Sequence, residues 1–138
     1  MQIGLLEDDV AIQEMLRLVL EDENYTVVIY PTAEACLKAL LTDEQKQGSA
    51  VPIDLLIVDL RLPRAVSGME VIRQLRNDPS YSSLPIILTT ASSFVDVEDL
   101  SVLHVDFLEK PFDIDNLVRM IGELTANSSE NHSINALG

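Results

Sequence analysis

Apolar residues along the chain occur in two alternating patterns. Short uninterrupted apolar runs, such as residues 3–6 and 55–58, have the length of β-strands. They are separated by segments in which apolar residues recur every three or four positions, as on one face of an amphipathic helix. The first such segment carries Ile12, Met15, Leu16, Val19 and Leu20. The alternation predicts strand–helix units.

Five such units follow one another. The predicted strands are residues 3–6, 26–30, 55–58, 86–89 and 105–108. Thr32 and Asp113 are suitable N-caps for the second and the last helix, and the S-x-x-E spacing of residues 67–70 is a capping box for a helix that ends near Arg76. Residues 93–103 have a thin apolar stripe, which predicts a further helix.

This order of elements predicts an α/β fold. Fully apolar strands are typical of a parallel sheet that is covered on both faces, and successive βα units connect by right-handed crossovers. We therefore expect a doubly wound five-stranded parallel sheet with helices on both faces, formed by residues 1–125. Residues 126–138 are rich in Asn and Ser, which predicts a flexible polar tail.

Composition and charge exclude several classes of function. The 138 residues suit one domain, and 9 basic against 23 acidic residues give a net charge of -14. Such a charge disfavours direct binding to nucleic acid or to an anionic membrane surface. The lone Cys36 cannot form an internal disulfide, and no apolar segment reaches the length of a signal peptide core or a membrane span. We expect a cytoplasmic protein.

Residues with reactive or charged side chains stand where the predicted strands end. Glu7 and Asp8 follow the first strand, Asp59 the third, Thr90 the fourth and Lys110 the fifth. In open α/β sheets, ligands bind beyond the carboxyl ends of the strands. The five side chains are therefore expected to converge at one edge of the sheet.

The chemistry of this set indicates a metal-assisted phosphoryl transfer. Two carboxylates held 4 Å apart repel by roughly 4 kcal/mol at an effective dielectric near 20, and a dication removes that repulsion. Oxygen-only ligands suit Mg²⁺. Lys110 adds a positive charge and Thr90 a hydroxyl donor, and both can neutralise phosphoryl oxygens while Asp59 attacks.

Each signal also has a simpler interpretation. Acidic residues 7–9 suit the first turn of any helix, because the helix dipole favours negative charge there. An Asp after a strand is commonly a turn residue, and a Lys-Pro pair commonly marks a loop. The coincidence of these residues, in order, at the ends of four strands favours a site.

These residues resemble the receiver domains of two-component response regulators, over residues 2 to about 125. The resemblance implies a flavodoxin-like (βα)5 fold. It is carried by LLEDD (residues 5–9), DLLIVDLRLP (54–63) with Gly68 following, PIILTTA (85–91) and FLEKPF (107–112).

The resemblance implies a role for each residue of the site. Asp59 is the phosphoacceptor, and Glu7, Asp8, Asp59 and the backbone carbonyl of Arg61 bind Mg²⁺, for which Mn²⁺ can substitute. Thr90 and Lys110 hold phosphoryl oxygens.

A second set of implied features concerns the response to phosphorylation. Phe107 is the switching aromatic, which moves together with Thr90, and the bond between Lys110 and Pro111 is cis. The surface formed by the fourth predicted helix, the fifth strand and the last helix then exchanges partners.

The resemblance also implies the partners. The phosphoryl group comes from a sensor histidine kinase or a histidine phosphotransfer protein, and a downstream effector protein reads the result. A phosphorylation-dependent homodimer is compatible with the same family. The protein is then a signalling switch that catalyses only its own phosphorylation and dephosphorylation. A stand-alone receiver, a relay intermediate and a fragment of a longer regulator all remain open.

Two departures keep an alternative open. Gly68 lies nine residues after Asp59, one more than expected, and Leu103 and His104 replace the small Gly-Ala pair common before the fifth strand. A receiver-like binding module that works without phosphate would fit such changes. A phosphohydrolase fits less well, because Arg61 stands where a second acid is usual, and a flavin site is disfavoured by the acidic first turn.

Overall fold

The core of the protein is one five-stranded sheet, seen in a computed structural model that describes residues 1–41, 52–59, 68–90, 102–109 and 112–137, without the side chains of residues 90 and 127–137. The strands are β1 (Gln2–Leu6), β2 (Thr26–Tyr30), β3 (Leu55–Asp59), β4 (Ile86–Thr90) and β5 (Asp106–Glu109). All neighbours pair in parallel in the order β2-β1-β3-β4-β5. The predicted fold class is confirmed, with β3 at the centre of the sheet.

The helices of the described chain cover both faces of this sheet. They are α1 (Val10–Asp22), α2 (Ala33–Leu40), α3 (Gly68–Arg76) and α4 (Ile114–Leu137), with a 3₁₀ turn at Pro79–Tyr81. Successive strand residues point to opposite faces, so β3 divides its apolar side chains between two core clusters. Leu56 and Val58 pack with α2 and α3, whereas Leu55 and Ile57 pack with α1 and α4. Every residue of β3 is buried as a result.

Side-chain caps set the starts of two helices as predicted. The Thr32 side chain accepts a hydrogen bond from the Ala35 amide at 3.0 Å, and α2 begins at the next residue. The Asp113 carboxylate accepts one from the Asp115 amide at 3.0 Å, directly before α4. Such caps satisfy amides that the first helical turn leaves without a helical partner. The predicted capping box begins at Ser67, which lies outside the described residues.

Element boundaries differ slightly from the predicted ones. β1 begins one residue earlier, β4 extends to Thr90, and β5 lies one residue later than predicted. Pairing with a neighbouring strand, rather than apolar character, decides where a strand ends, and Thr90 pairs with Glu109. Of the helix predicted at residues 93–103, Val102 and Leu103 are helical and the rest lies outside the described residues.

The last helix is longer than the apolar pattern predicted. Helical backbone continues through residues 126–137, where the sequence pattern predicts a polar tail. No Gly or Pro occurs in that stretch, so each added residue can donate one more helical hydrogen bond once the helix has started. The backbone after residue 125 is helical, which does not test whether this segment is flexible. The division of the chain into a domain and a tail stays a prediction.

Candidate functional site

The carboxyl ends of the strands lie side by side at one end of the sheet. Leu6, the last residue of β1, pairs with Val58, so Glu7 follows β1 beside the end of β3. Asp59 in turn pairs with Thr89 on β4. This register, which the apolar runs alone do not specify, brings the predicted acidic residues together.

Three carboxylates form a compact group at this edge. Glu7, Asp8 and Asp59 each place one carboxylate oxygen within 4.8 Å of the others. Glu7 and Asp59 are only 2% and 1% exposed, whereas Asp8 is exposed. Two buried carboxylates and one facing solvent form a site that is anchored in the protein and open on one side.

Backbone hydrogen bonds position Glu7. Its amide donates to the carbonyl of Tyr30 at 3.2 Å, which ties the end of β1 to the end of β2. Its carboxylate accepts a hydrogen bond from the Asp8 amide at 3.1 Å. Asp9 caps α1 by accepting from the Ile12 amide at 3.1 Å. The three consecutive acidic residues therefore have different roles, and the acidic-turn interpretation applies to Asp9.

Gln13 is a residue of this site that the sequence analysis missed. Its side-chain amide donates to the backbone carbonyl of Glu7 at 2.6 Å. The bond holds the turn between β1 and α1, from which Glu7 and Asp8 project. In the sequence Gln13 looks like any polar residue of an amphipathic helix, so no local signal points to this contact.

The other predicted residues of the site are described in part. Thr90 ends β4 beside Glu109 of β5, and its side chain lies outside the described part of the structure, as do Arg61, Lys110 and Pro111. The preceding Thr89 is buried, and its hydroxyl donates to the Val58 carbonyl at 3.4 Å. It therefore contributes to the packing of β4 against β3.

Phe107 lies on the edge strand β5. Its Cα pairs with Leu88 of β4, and its side chain is 42% exposed. Its ring therefore leaves some apolar surface exposed, as single hydrophobic residues at protein surfaces commonly do. The structure thus places the predicted switching residue at the surface, on a strand that β4 separates from β3.

The acidic group has the composition of a site for a hard cation. Its donors are carboxylate oxygens, without the thiolate or imidazole ligands that softer metals prefer. Like charges at this separation repel in a partly buried environment, and a divalent ion would offset the repulsion. Glu7, Asp8 and Asp59 could therefore hold a divalent metal ion. Among the described residues, no helix combines the length and apolar character that crossing a bilayer requires.

Similar proteins were found by sequence and by structure. The chain is 35% identical over 131 residues to the response regulator protein PmrA of Pseudomonas aeruginosa, a match covering 94% of this chain and 54% of the relative. It is 36% identical over 121 residues to the response regulator ArlR of Staphylococcus epidermidis, covering 86% of this chain and 50% of the relative. The chain thus spans about half the length of these curated relatives.

A solved structure agrees with these matches. The Mn(2+)-bound form of the response regulator Rcp1 superposes with a TM-score of 0.70 at 26% identity, covering 87% of this chain and 88% of that one. The family model described as the response regulator receiver domain matches residues 3–122, which include all four strand ends that carry the site. The fold, the acidic group and the family match agree, and the chain therefore belongs to the response regulator receiver family.

Proposed function

We propose that this domain is the phosphoacceptor of a two-component or phosphorelay system and that Asp59 receives the phosphoryl group. The observation that carries this proposal is the buried Asp59 carboxylate at the end of the central strand, within 4.8 Å of two further carboxylates. Membership of the receiver family supports a phosphoacceptor role, and it does not favour a binding module that works without phosphate.

The ion that this site would hold is Mg²⁺. Glu7, Asp8 and Asp59 supply carboxylate oxygens, and the family resemblance adds the backbone carbonyl of Arg61. Mg²⁺ commonly takes a few carboxylate ligands and fills its other positions with water and phosphate oxygens. Mn²⁺ would substitute for Mg²⁺, and the similar response regulator Rcp1 was solved in a Mn(2+)-bound form.

Phosphoryl transfer at this site is a simple displacement. A carboxylate oxygen of Asp59 attacks phosphorus, the bond from phosphorus to a partner histidine nitrogen breaks, and an acyl phosphate forms on Asp59. The bound cation would neutralise charge on the transferring oxygens. Burial restricts the space in which the Asp59 carboxylate can rotate. By resemblance, the Thr90 hydroxyl and the Lys110 ammonium hold the remaining phosphoryl oxygens.

The partners follow from this chemistry. A sensor histidine kinase or a histidine phosphotransfer protein supplies the phosphoryl group, and an effector protein, or a second phosphorylated copy, binds the changed surface. Phe107, exposed on β5, is the residue through which that surface would change. The protein would act in the cytoplasm, where such kinases present their phosphohistidine, and would catalyse only its own phosphorylation and dephosphorylation.

A small phosphodonor tests the function without the kinase. Incubation with acetyl phosphate and Mg²⁺ should add the mass of one phosphoryl group, because the site carries its own nucleophile and metal ligands. Intact-protein mass spectrometry measures the gain, and EDTA should prevent it. Loss of the added mass in hydroxylamine identifies an acyl phosphate. Absence of any gain at Mg²⁺ concentrations that saturate the protein would contradict the proposal.

Removing the Gln13 amide should weaken metal binding. Gln13→Leu loses the 2.6 Å hydrogen bond to the Glu7 carbonyl, so the turn that carries Glu7 and Asp8 is held less firmly. Groups that orient metal ligands typically contribute about 10- to 100-fold in affinity, and we expect about a tenfold weaker Mg²⁺ binding by titration calorimetry. Gln74→Leu on α3 is the matched control and should bind normally. Equal affinities in the two variants would refute this role.

A further inference from the structure

Arg76, the last residue of α3, binds three backbone carbonyls that belong to two separate segments of the chain. Its guanidinium donates to the carbonyl of Tyr81 at 2.7 Å, to that of Leu103 at 2.7 Å and to that of His104 at 3.1 Å. Tyr81 belongs to the 3₁₀ turn that follows α3, whereas Leu103 and His104 precede β5. One side chain therefore joins α3 to the segment that leads into the edge strand.

The environment of Arg76 shows that these bonds replace water. The side chain is partly buried, and burial lowers its pKa from the ordinary value. Among the described residues, no carboxylate lies within ion-pair distance of it, so backbone carbonyls are the acceptors that compensate the lost hydration. The planar guanidinium suits this use, because its five N–H donors point in fixed and different directions.

The segment that Arg76 binds contains a residue with an unfavourable backbone conformation. His104 has φ 56, in the left-handed region that a residue with a Cβ adopts at a cost. Leu103 and Val105 pack against the core cluster that contains α3. β5 begins at Asp106, has only four residues and lies at an edge of the sheet. Such a strand needs a fixed starting point to keep its register.

We propose that Arg76 is a positioning residue that fixes the start of β5 to the end of α3 and so sets the position of Phe107, three residues after His104. The proposal rests on the proposed function, since it concerns the surface through which phosphorylation would be read. Neither the hydrophobic pattern nor the site residues at the strand ends indicate this role.

Arg76 acts at a distance from the acidic group. All strands are parallel, so β5 starts where the strands have their amino ends. The carboxyl ends, which carry Glu7 and Asp59, lie at the opposite end of the sheet. The loss of Arg76 should therefore loosen the pairing of β5 and leave metal binding at the carboxyl ends of the strands intact. This separation allows the role of Arg76 to be measured independently of the phosphoryl chemistry.

Hydrogen exchange of the unphosphorylated protein tests the proposal. In Arg76→Met, which removes every donor but keeps the apolar stem, the amides of β5 should exchange about tenfold faster, because the strand opens locally. The amides of β1 and β3 should change far less. Arg73→Met on the same helix is the matched control, since Arg73 is exposed and 3.9 Å from Glu70. It should leave β5 unchanged.

A purely structural role of Arg76 would change the hydrogen exchange rates of the strands in a different way. If Arg76 only stabilises the whole domain, exchange should rise by the same factor in β1, β3 and β5, and this result would overturn the proposal. Unchanged exchange in β5 would overturn it as well. Should Arg76→Met fail to fold, Arg76→Lys decides between the same outcomes, because one ammonium cannot reach all three carbonyls in the geometry of a guanidinium.

Phosphorylation of the same variants separates this inference from the proposed function. Arg76→Met should gain phosphoryl mass from acetyl phosphate as the wild type does, because Asp59 lies at the other edge of the sheet. If the wild type gains no mass, the proposed function fails, while the exchange of the unphosphorylated proteins still decides the role of Arg76. If only Arg76→Met loses the mass gain, Arg76 also supports the acidic site and the proposed separation is wrong.

Discussion

Asp59→Asn should abolish phosphoryl incorporation and leave the fold intact. An asparagine amide has nearly the shape of the carboxylate, but it is a far poorer nucleophile and carries no charge for a cation. Asp59 is 1% exposed at the end of the central strand, and the Glu7 and Asp8 carboxylates within 4.8 Å of it would bind the cation in the proposed site rather than receive the phosphoryl group. Intact-protein mass spectrometry after treatment with acetyl phosphate and Mg²⁺ should show only the unmodified variant.

The control for this variant lies at the other end of the same strand. Asp54 precedes β3, is exposed, and accepts a hydrogen bond from the Gln2 amide at 2.7 Å. Asp54→Asn makes the same chemical change away from the carboxyl edge and should gain phosphoryl mass like the wild type. A mass gain that persists in Asp59→Asn would show that another residue is the acceptor.

Mg²⁺ should raise the thermal midpoint of the wild-type protein. A ligand that binds only the folded state at 100 times its Kd stabilises it by about 2.7 kcal/mol, which corresponds to a rise of about 5–10 °C for a domain of this size. The physical source is the acidic group, whose three carboxylate oxygens lie within 4.8 Å of one another. Differential scanning calorimetry with and without MgCl₂ measures the shift.

Charge variants determine whether the shift comes from this group. Asp8→Asn and Asp59→Asn should lose most of the Mg²⁺-induced rise, and without Mg²⁺ they should be more stable than the wild type, because one repelling charge is gone. Asp54→Asn should keep the full rise. NaCl at matched ionic strength corrects for general screening of a protein with a net charge of -14. An unchanged midpoint at Mg²⁺ concentrations that support phosphorylation would contradict the proposed site.

The two core clusters explain how the site is kept in place. α1 and α4 cover one face of the sheet, α2 and α3 cover the other, and β3 contributes to both. β3 is buried along its whole length, and Asp59 sits at its carboxyl end. β5, the last strand at one side of the sheet, is mostly exposed, as expected of a strand that opens more easily than the core. The proposed acceptor Asp59 thus lies on a fully buried strand, and the proposed switching residue Phe107 lies on a mostly exposed one.

Much of the site was predictable because strand ends are visible in the sequence. Glu7, Asp8 and Asp59 follow uninterrupted apolar runs, and the rule that parallel strands present their carboxyl ends at one edge was enough to place them together. The structure confirms that prediction for these three residues. For Arg61, Thr90 and Lys110, the roles implied by the resemblance stay predictions.

Other features depend on contacts that no local pattern encodes. In the sequence, Gln13 looks like an ordinary polar residue of an amphipathic helix. Only the structure shows its hydrogen bond to the Glu7 carbonyl. The hydrophobic pattern also does not predict the extension of α4 to Leu137, because backbone hydrogen bonds can continue a helix without an apolar face.

The sequence by itself determined the βα order, the parallel sheet and the identity of the acidic residues at the strand ends, because hydrophobic periodicity and strand termini are local properties. Only the tertiary structure decided the strand order and register, the burial of Glu7 and Asp59, and the binding of Leu103 and His104 by Arg76. These depend on residues far apart in the chain. Arg76 lies 27 residues from Leu103, a separation at which no periodic pattern connects a donor with its acceptor.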